Sequence, residues 1–405
     1  MGFQQGLSGL AAAAKDLDVI GNNVANANTV GFKGSSALFA DVYARSVAAS
    51  AGAGIGIGTT LTTVQQSFVQ GNITVTSNPL DVAINGGGFF RLDTNGAITY
   101  SRNGQFHLDK DGFVVNATGA KVTGYGVSST GSVVTASATP LKVSAADLKP
   151  TATANAGIVL NLDSREAAVT LPFNINDSKT YNKATSMTVF DSLGNSHTLA
   201  TYYAKTASNT WSVYGAFDGV PTGAASIGTL KFKPDGSFDA AASTLPNLSL
   251  VLANGATTPL AFPVTYTGST QFGSVFGVNS LTQDGFASGK LAGYSLSPDG
   301  TILGRYTNGE ARALGQVVLA NFADPEGLQP LGNNQWGESG ASGLPVVGVP
   351  GSAALGVVQS GAVEESNVDL TQELVDMITA QRIYQSNAQT IKTQDQVFNT
   401  LVNLR

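Results

Sequence analysis

The chain has two histidines and no cysteine, so few groupings of its residues could do chemistry. His107 precedes Asp109 and Asp111, and His197 follows Ser196 and lies near Asp191. A hydroxyl, an imidazole and a carboxylate in line would activate a nucleophile, and an imidazole among carboxylates would hold a metal. In both stretches, however, the neighbours are turn-forming residues. Asp109-Lys110-Asp111-Gly112 reads as a hairpin tip, and its Asp-x-Asp-Gly run lacks the later glutamate of a calcium loop. Gly52-Ala53-Gly54-Ile55-Gly56-Ile57-Gly58 looks like a phosphate cradle, but no strand precedes it, no helix opens inside it and no acidic residue follows at the required distance. A flexible connector or an irregular strand pair is expected there instead. No carboxylate pair is singled out for glycoside hydrolysis. Absence of cysteine excludes disulfides, thiolate metal sites and a thiol nucleophile. The expectation is no catalytic residue, no cofactor and no metal.

Composition points the same way. Only 12% of the 405 residues are charged, 48 are glycine, and the formal net charge is −6. A surface so poor in charge repels copies of itself weakly, which suits self-packing and equally suits an ordinary extracellular β protein. No Lys/Arg cluster offers a phosphate backbone a site, so nucleic acid is not an expected partner. No apolar run approaches the length of a membrane span, and no membrane insertion is expected. The apolar stretch Leu7–Ala14 lacks the preceding basic residues of a secretory signal, since the first is Lys15, and reads as a retained helix rather than a cleaved peptide.

The elements at the two ends carry the strongest pattern. Phe3, Leu10, Leu17 and Val24 recur every seven residues, with Leu7, Ala14, Gly21 and Asn28 four positions after each. At the other end Met377, Tyr384, Ile391 and Phe398 recur likewise, interleaved with Leu374, Gln381, Ala388, Asp395 and Val402. Such heptads belong to helices that pack on helices. The first is expected over residues 3–28, about 39 Å, and the last over 370–405, about 54 Å, at about 1.5 Å per residue. Asp369 is the expected N-cap, with Gln372 completing a capping box. Glu364, Glu365, Asp369, Glu373 and Asp376 crowd the start of the last helix and complement its dipole.

Between the ends the period falls to two. Asp93-Thr94-Asn95-Gly96, Asp109–Gly112, Pro234-Asp235-Gly236, Pro298-Asp299-Gly300 and Thr307-Asn308-Gly309 are hairpin signals, because Asn-Gly and Asp-Gly accept positive φ. The fold class is therefore mixed and mainly β: terminal α-helices forming a coiled-coil-like inner domain, plus two antiparallel β domains, the second inserted into the first. The expected divisions are 1–29 (first helix), 30–72 (connector), 73–146 and 285–362 (first β domain, rich in aromatic anchors), 147–284 (the Ala/Thr/Ser-rich insert) and 363–405 (last helix).

The two seams can be read as a private antiparallel pair within one chain or as assembly surfaces. Polar and small seam residues such as Gln381, Asp395, Ala14, Gly21 and Ala388 give close, register-specific contacts at some cost in stability. A second stripe, Ile378, Val397, Leu401 and Leu404, leaves surface for further neighbours. Each helix thus has more apolar surface than one partner covers, which favours assembly.

Asn22-Asn23-Val24-Ala25-Asn26-Ala27-Asn28-Thr29-Val30-Gly31-Phe32-Lys33 closely resembles the N-terminal signature of the bacterial flagellar axial proteins, the family of rod, hook and hook-associated subunits. Gly2–Leu10, Asp41-Val42-Tyr43, Ser366-Asn367-Val368-Asp369-Leu370 and Tyr384–Thr393 resemble its hook members in particular, and Asp81–Phe90 resembles the entry to their first β domain. Residues 147–284 match only in position and texture. The resemblance implies a homopolymer, the curved tube joining rotary motor to filament. It implies export through the flagellar type III apparatus to the cell exterior without a cleaved signal. A hook cap protein, distal rod proteins and hook–filament junction proteins are the implied partners. It further implies terminal helices that stay loose in the monomer and form the inner wall of the tube, held chiefly by Phe3, Leu7, Leu10, Leu17, Val24, Leu374, Met377, Tyr384, Ile391, Phe398 and Val402. The signature residues carried over are Asn22, Asn23, Asn26, Thr29, Gly31, Phe32 and Lys33. A distal rod subunit shares both terminal signatures, although rod relatives generally lack so large an insert. A secreted β-domain adhesin is the more distant alternative.

Overall fold

A computed structural model describes residues 2–42, 56, 58–128, 131–144 and 146–402, with side chains up to residue 400. The expectations for Tyr43, Gly52–Ile55, Ile57, Leu404 and the side chains of Leu401 and Val402 lie outside the described residues. The chain gathers into two compact units. Unit 1 comprises Met1–Ser144, Tyr294–Gly304 and Arg312–Arg405; unit 2 comprises Ala145–Gly293 and Arg305–Ala311.

In unit 1 the first helix, α1, spans Gly2–Ala25 and the last, α2, spans Leu370–Val402. Asparagines end α1: Asn26 donates its backbone N–H to Asn22 O, and its side chain also reaches Asn22. Asp369 caps α2, its Oδ1 accepting from Thr371 N at 2.9 Å and Gln372 N at 3.2 Å. The reciprocal half of the expected capping box is not made, because Gln372 Nε2 donates to Asp376 Oδ1 instead.

Residues 30–72 do more than connect. Strands β1 (Ser35–Val42) and β2 (Gly58–Gln66) pair antiparallel from Ser35↔Gln66 to Val42↔Gly58, with one irregularity at Leu38/Phe39. They lean on α1: Gln5 Nε2 donates to Gly56 O at 2.6 Å, and Thr59 N donates to Ser8 Oγ at 3.3 Å.

The remaining strands of unit 1 pair early chain with late chain. Strand β3 (Ile73–Val75) lies antiparallel to Ala362–Glu364, and β4 (Val82–Asn85) to Val357–Ser360. Strand β5 (Phe89–Thr94) pairs with Leu319–Asn321 and β6 (Ala97–Ser101) with Gln335–Gly337. Their aromatic core joins Phe89, Tyr100, Phe322 and Trp336, with Phe68 edge-on to both Phe89 and Trp336 at 5.4 Å. Between β5 and β6 the Asn95-Gly96 turn has φ of 56° and 92°, the left-handed pair that such a two-residue loop needs. The other four expected turns are closed by backbone hydrogen bonds at Gly112, Gly236, Gly300 and Gly309.

Unit 2 has two main sheets. One is built on Lys183–Phe190, Ser196–Ala207 and Thr210–Phe217; the other runs Asn247–Leu250, Leu260–Thr265, Ala156–Asn161, Gly277–Gln283. Trp211, Tyr203, Tyr266, Phe262 and Leu160 are among the residues of their shared core. Two pairings depart from the antiparallel expectation: Ala156–Gly157 runs parallel to Val264–Thr265, and Asn161 forms a parallel bridge with Thr270.

Candidate functional site: a joint between the chain ends

The Asn22–Lys33 signature is not a surface motif. It ends α1 and then dives into the base of the β part of unit 1. Asn23 is almost fully buried, and its amide works like a backbone unit. Nδ2 donates to Ser35 O at 2.7 Å, Oδ1 accepts from Ser35 N at 3.0 Å, and Nδ2 also reaches Glu373 Oε1 on α2 at 2.9 Å. Asn26, hydrogen-bonded back to Asn22, accepts from Thr29 Oγ1 at 3.2 Å. Gly31 has φ +70°, and a Cβ there would stand 2.5 Å from Asn103 N and 2.8 Å from Arg102 C. Both backbone conformation and space demand glycine at this point. Phe32 is buried beside it.

Lys33 completes the signature and is wholly buried. Its Nζ donates to Glu364 Oε1 at 2.6 Å and to Val69 O at 2.7 Å. Glu364, also wholly buried, accepts from Arg102 Nη1 at 3.0 Å through its second oxygen and from Gly71 N at 2.9 Å through the first. Arg102 Nη2 donates to Gly86 O at 2.9 Å, and its guanidinium lies 5.3 Å from the Phe89 ring centroid. Burial pushes Lys33 down from the ordinary lysine value, and the Glu364 charge works against that push. Arg102 is lowered by burial in the same way. A single carboxylate thus holds two desolvated cations, an arrangement that is costly to break.

The C-terminal residues around it finish the joint. Gly31 N donates to Glu364 O at 2.8 Å, Gly34 N to Asn367 Oδ1 at 2.8 Å, and Asn367 Nδ2 to Ser67 O at 2.8 Å and Val69 O at 3.1 Å. The end of α1, the start of α2, the foot of the β1–β2 hairpin and strands β3 and β4 therefore meet at one point. Glu364 was expected to serve the dipole of α2; it turns inward because Ala362-Val363-Glu364 is a strand buried throughout. Arg102 and Glu364 carry no motif of their own. Their neighbours Ser101, Asn103 and Gly104, and Glu365, Ser366 and Asn367, are polar or small, so nothing local marks either charge as buried.

Gly31→Ala is expected to destabilise unit 1 by more than about 2 kcal/mol, since φ strain and backbone overlap add. Chemical unfolding followed by Trp336 fluorescence measures it. An unchanged midpoint would mean that Gly31 has room to move.

The seams behave differently from the signature. α1 and α2 lie side by side and antiparallel: a Cβ on Gly6 would meet Ile391 at 3.1 Å, Gly9 faces the Asn387 amide, and Asn23 reaches Glu373. The terminal helices are thus paired in the single chain, not loose. The buried line of α1 is Gly6, Ala13, Ile20 and Asn23, one residue out of phase with the apolar heptad. Phe3 and Leu7 remain 43% and 52% exposed, and Leu10, Leu17 and Val24 are half-buried. On α2 only Ala380 is fully buried among the described residues; Met377 and Ile391 are half-buried, and Leu374, Tyr384 and Phe398 are exposed. The side chain of Val402 lies outside the described residues. Small and polar residues, with Ile20, make up the buried line, and the apolar stripe beside it is half-buried to exposed. Burial raises Asp16, with Asp376 adding to the rise, and burial also raises Glu373 against the hydrogen bond from Asn23. The pair therefore carries like charges in its seam.

The histidines have structural positions. His107 is exposed on a short hairpin strand. His197 is clasped between carboxylates, Nδ1 lying 2.7 Å from Asp218 Oδ2 and Nε2 3.3 Å from Asp191 Oδ2. Asp191 is fully buried and also accepts from Asn195 and Asn254. Both ring nitrogens are thereby engaged in ion pairs and none activates a hydroxyl. Burial alone would lower the imidazole, but its hydrogen bonds to the Asp218 and Asp191 carboxylates outweigh that and hold His197 above its ordinary value. Asp191 and Asp218 are lowered, their burial outweighed by their hydrogen bonds. The histidine contribution to stability is full below its unfolded value of about 6.5 and fades as pH rises through the raised one. The carboxylate contribution is full above about 3.8 and fades as pH falls through the depressed ones. Unit 2 is expected to melt a few degrees lower at about pH 8 than at about pH 5.5, by Trp211 fluorescence. His197→Gln should flatten that alkaline decline; an undiminished decline would place its origin elsewhere.

The two chain ends thus lock together at a buried ion cluster, and the paired helices leave apolar side chains open beside their contact. Comparison with known proteins gives the family. Residues 3–33 match the family described as flagella basal body rod protein, and 83–189 the flagellar hook protein FlgE/F/G D1 domain. Residues 161–286 match the flagellar basal body protein FlaE D2 domain, and 359–404 the flagellar basal body rod FlgEFG protein C-terminal family. Over the full length of both chains it is 44% identical to the flagellar hook protein FlgE of Escherichia coli (strain K12) and 43% identical to that of Salmonella typhimurium. It is 32% identical to that of Rhizobium meliloti, over 100% of this chain and 98% of the relative. The crystal structure of Helicobacter pylori flagellar hook protein FlgE2 shares the fold, with TM-score 0.55 and 12% identity over 72% of this chain and 99% of that one. The chain belongs to the flagellar hook protein family.

Proposed function

We propose that this chain is the subunit of a bacterial flagellar hook, polymerising into a flexible tube that passes motor torque to the filament. The observation that carries the reading is the phase shift between the buried line of α1 and its apolar heptad. The helices satisfy each other with Gly6, Ala13, Ile20 and Ala380, and keep Phe3, Leu7, Leu374, Ile378 and Phe398 for neighbouring subunits. Leu10, Leu17, Val24, Met377, Tyr384 and Ile391, at the edge of the pair, extend that surface, and Val402 continues it in sequence. Helices α1 and α2 then form the inner wall and the β parts face outward; Val363 and Glu364, expected with the last helix, belong to a strand of the β part. The Lys33–Glu364–Arg102 cluster stiffens the joint between wall and β part, so that twist applied to the helices reaches the sheets. In this reading the chain is a structural protein without an enzymatic role. Family membership supports a homopolymer in contact with distal rod, hook cap and hook–filament junction proteins. It also supports delivery by the type III export apparatus to the cell exterior.

A chain ending at Val368 keeps Glu364 and Asn367 and loses α2. It is expected to stay folded and soluble, and to form no tubes under salting-out conditions in the electron microscope. Tubes from that chain would overturn the helix-pair mechanism. With the full chain, curved tubes support a hook subunit, straight rods a distal rod subunit, and no polymer an adhesin-like β protein.

A further inference from the structure

We propose that Glu364 is a latch that closes unit 1 last, so that α1 takes its seat only when the C-terminal strands have arrived. Among the described residues, the strand partners of β3 and β4 are Ala362–Glu364 and Val357–Ser360. Neither ladder can form from the first part of the chain alone. The seat of α1 has the same dependence. Gly31 N and Lys33 Nζ find Glu364, the latter 331 residues away along the chain, and Gly34 N finds Asn367. Gly71 N, in the link between β2 and β3, also waits for Glu364.

The cations supply the gate. Lys33 and Arg102 are both buried, and each has one carboxylate partner, the same one. Before Glu364 docks, burying either would strand a desolvated charge, so both stay hydrated and the segments that carry them stay apart. Once it docks, one side chain satisfies both cations and Gly71 N, while its own backbone oxygen takes Gly31 N. Closing so long a loop is slow and brings its reward in one cooperative step. Unit 2 is drawn mostly from one continuous stretch, Ala145–Gly293, and folds under no such condition. The consequence is a completeness check: a subunit presents a seated α1 only if its last strands are present.

The two tryptophans make this measurable, since Trp336 lies in unit 1 and Trp211 in unit 2. Full-length chains carrying Trp211→Phe or Trp336→Phe each report the unmodified unit during refolding from denaturant. Trp211 is expected to recover first, and Trp336 later. In Glu364→Gln, hydrogen exchange of the last turn of α1, of β3, of β4 and of residues 357–364 is expected to accelerate together by about tenfold or more, with the Trp211 sheet unchanged. If Glu364→Gln leaves unit 1 wholly open, Lys33→Met, which retains a balanced Arg102–Glu364 pair, should show the same segments opening together to a smaller degree. Trp336 recovering as early as Trp211 would overturn the latch. So would faster exchange confined to the residues touching position 364, with β3 and β4 protected as in the parent.

Discussion

Glu364→Ala is expected to destabilise unit 1 by about 3–5 kcal/mol, the usual cost of stripping one partner from a buried ion pair. The effect should be at the upper end for a local reason. The lost carboxylate serves Lys33, Arg102 and Gly71 N at once, and both cations are buried away from water. Arg102 enters the change already strained in its bonding, because its Nε is buried without a hydrogen-bond partner. In chemical unfolding the Trp336 transition should move to much lower denaturant while the Trp211 transition stays in place. Replacing all three charged side chains by methionine should recover part of the loss, since an apolar cluster of similar volume is often tolerated. Recovery stays incomplete because Gly86 O and Gly71 N lose these partners, while Val69 O keeps only the bond from Asn367. A shift of the Trp336 midpoint by less than about 1 kcal/mol in Glu364→Ala would mean that the cluster is hydrated and is not the joint.

Leu7→Glu combined with Leu374→Glu is expected to abolish polymerisation and to leave the monomer almost unchanged. Both side chains are about half exposed, Leu7 at 52% and Leu374 at 45%, so the change in folding stability should stay within about 0.5 kcal/mol for each. In a polymer the same positions are buried against other subunits, and each glutamate there brings an unpaired charge out of water. A loss of about 3 kcal/mol per subunit contact raises the critical concentration about a hundredfold. The contrasting variant is Ala380→Glu, on the buried line of α2, which should disturb the helix pair within the monomer itself. Sedimentation of the polymer and circular dichroism of the monomer read the two effects separately. Unimpaired tube formation by the Leu7/Leu374 variant would remove the apolar stripe from the assembly surface.

Much of the fold was legible because the signals are local. Five turns were readable from Asn-Gly and Asp-Gly dipeptides, whose backbone preference needs no tertiary partner. Both terminal helices were readable from their period, and Asp369 from its capping chemistry. The expected Gln372 half of the box is not formed, because the Gln372 amide bonds Asp376, one turn on. The parallel pairing of Ala156–Gly157 with Val264–Thr265 had no local signal, since a strand reads alike whichever way its neighbour runs. The return of unit 2 at Arg305–Ala311 was invisible for the same kind of reason: a turn signal does not say which sheet it serves.

The heptads show the limit most clearly. Residue order is enough to show that both ends are helical, that each bears an apolar stripe, and that the Asn22–Lys33 segment is special. Which line of each helix faces its partner within the chain emerges only from the packed fold. The pair chose the small and polar line because Gly6, Gly9, Ala13 and Ala380 let the two backbones approach closely, and Asn23 and Glu373 fix the register. The same holds for Lys33. Sequence marked it as part of a signature, but a lysine wholly removed from water requires a carboxylate 331 residues away. A heptad is written in neighbouring residues, whereas a buried charge is answered across the whole chain.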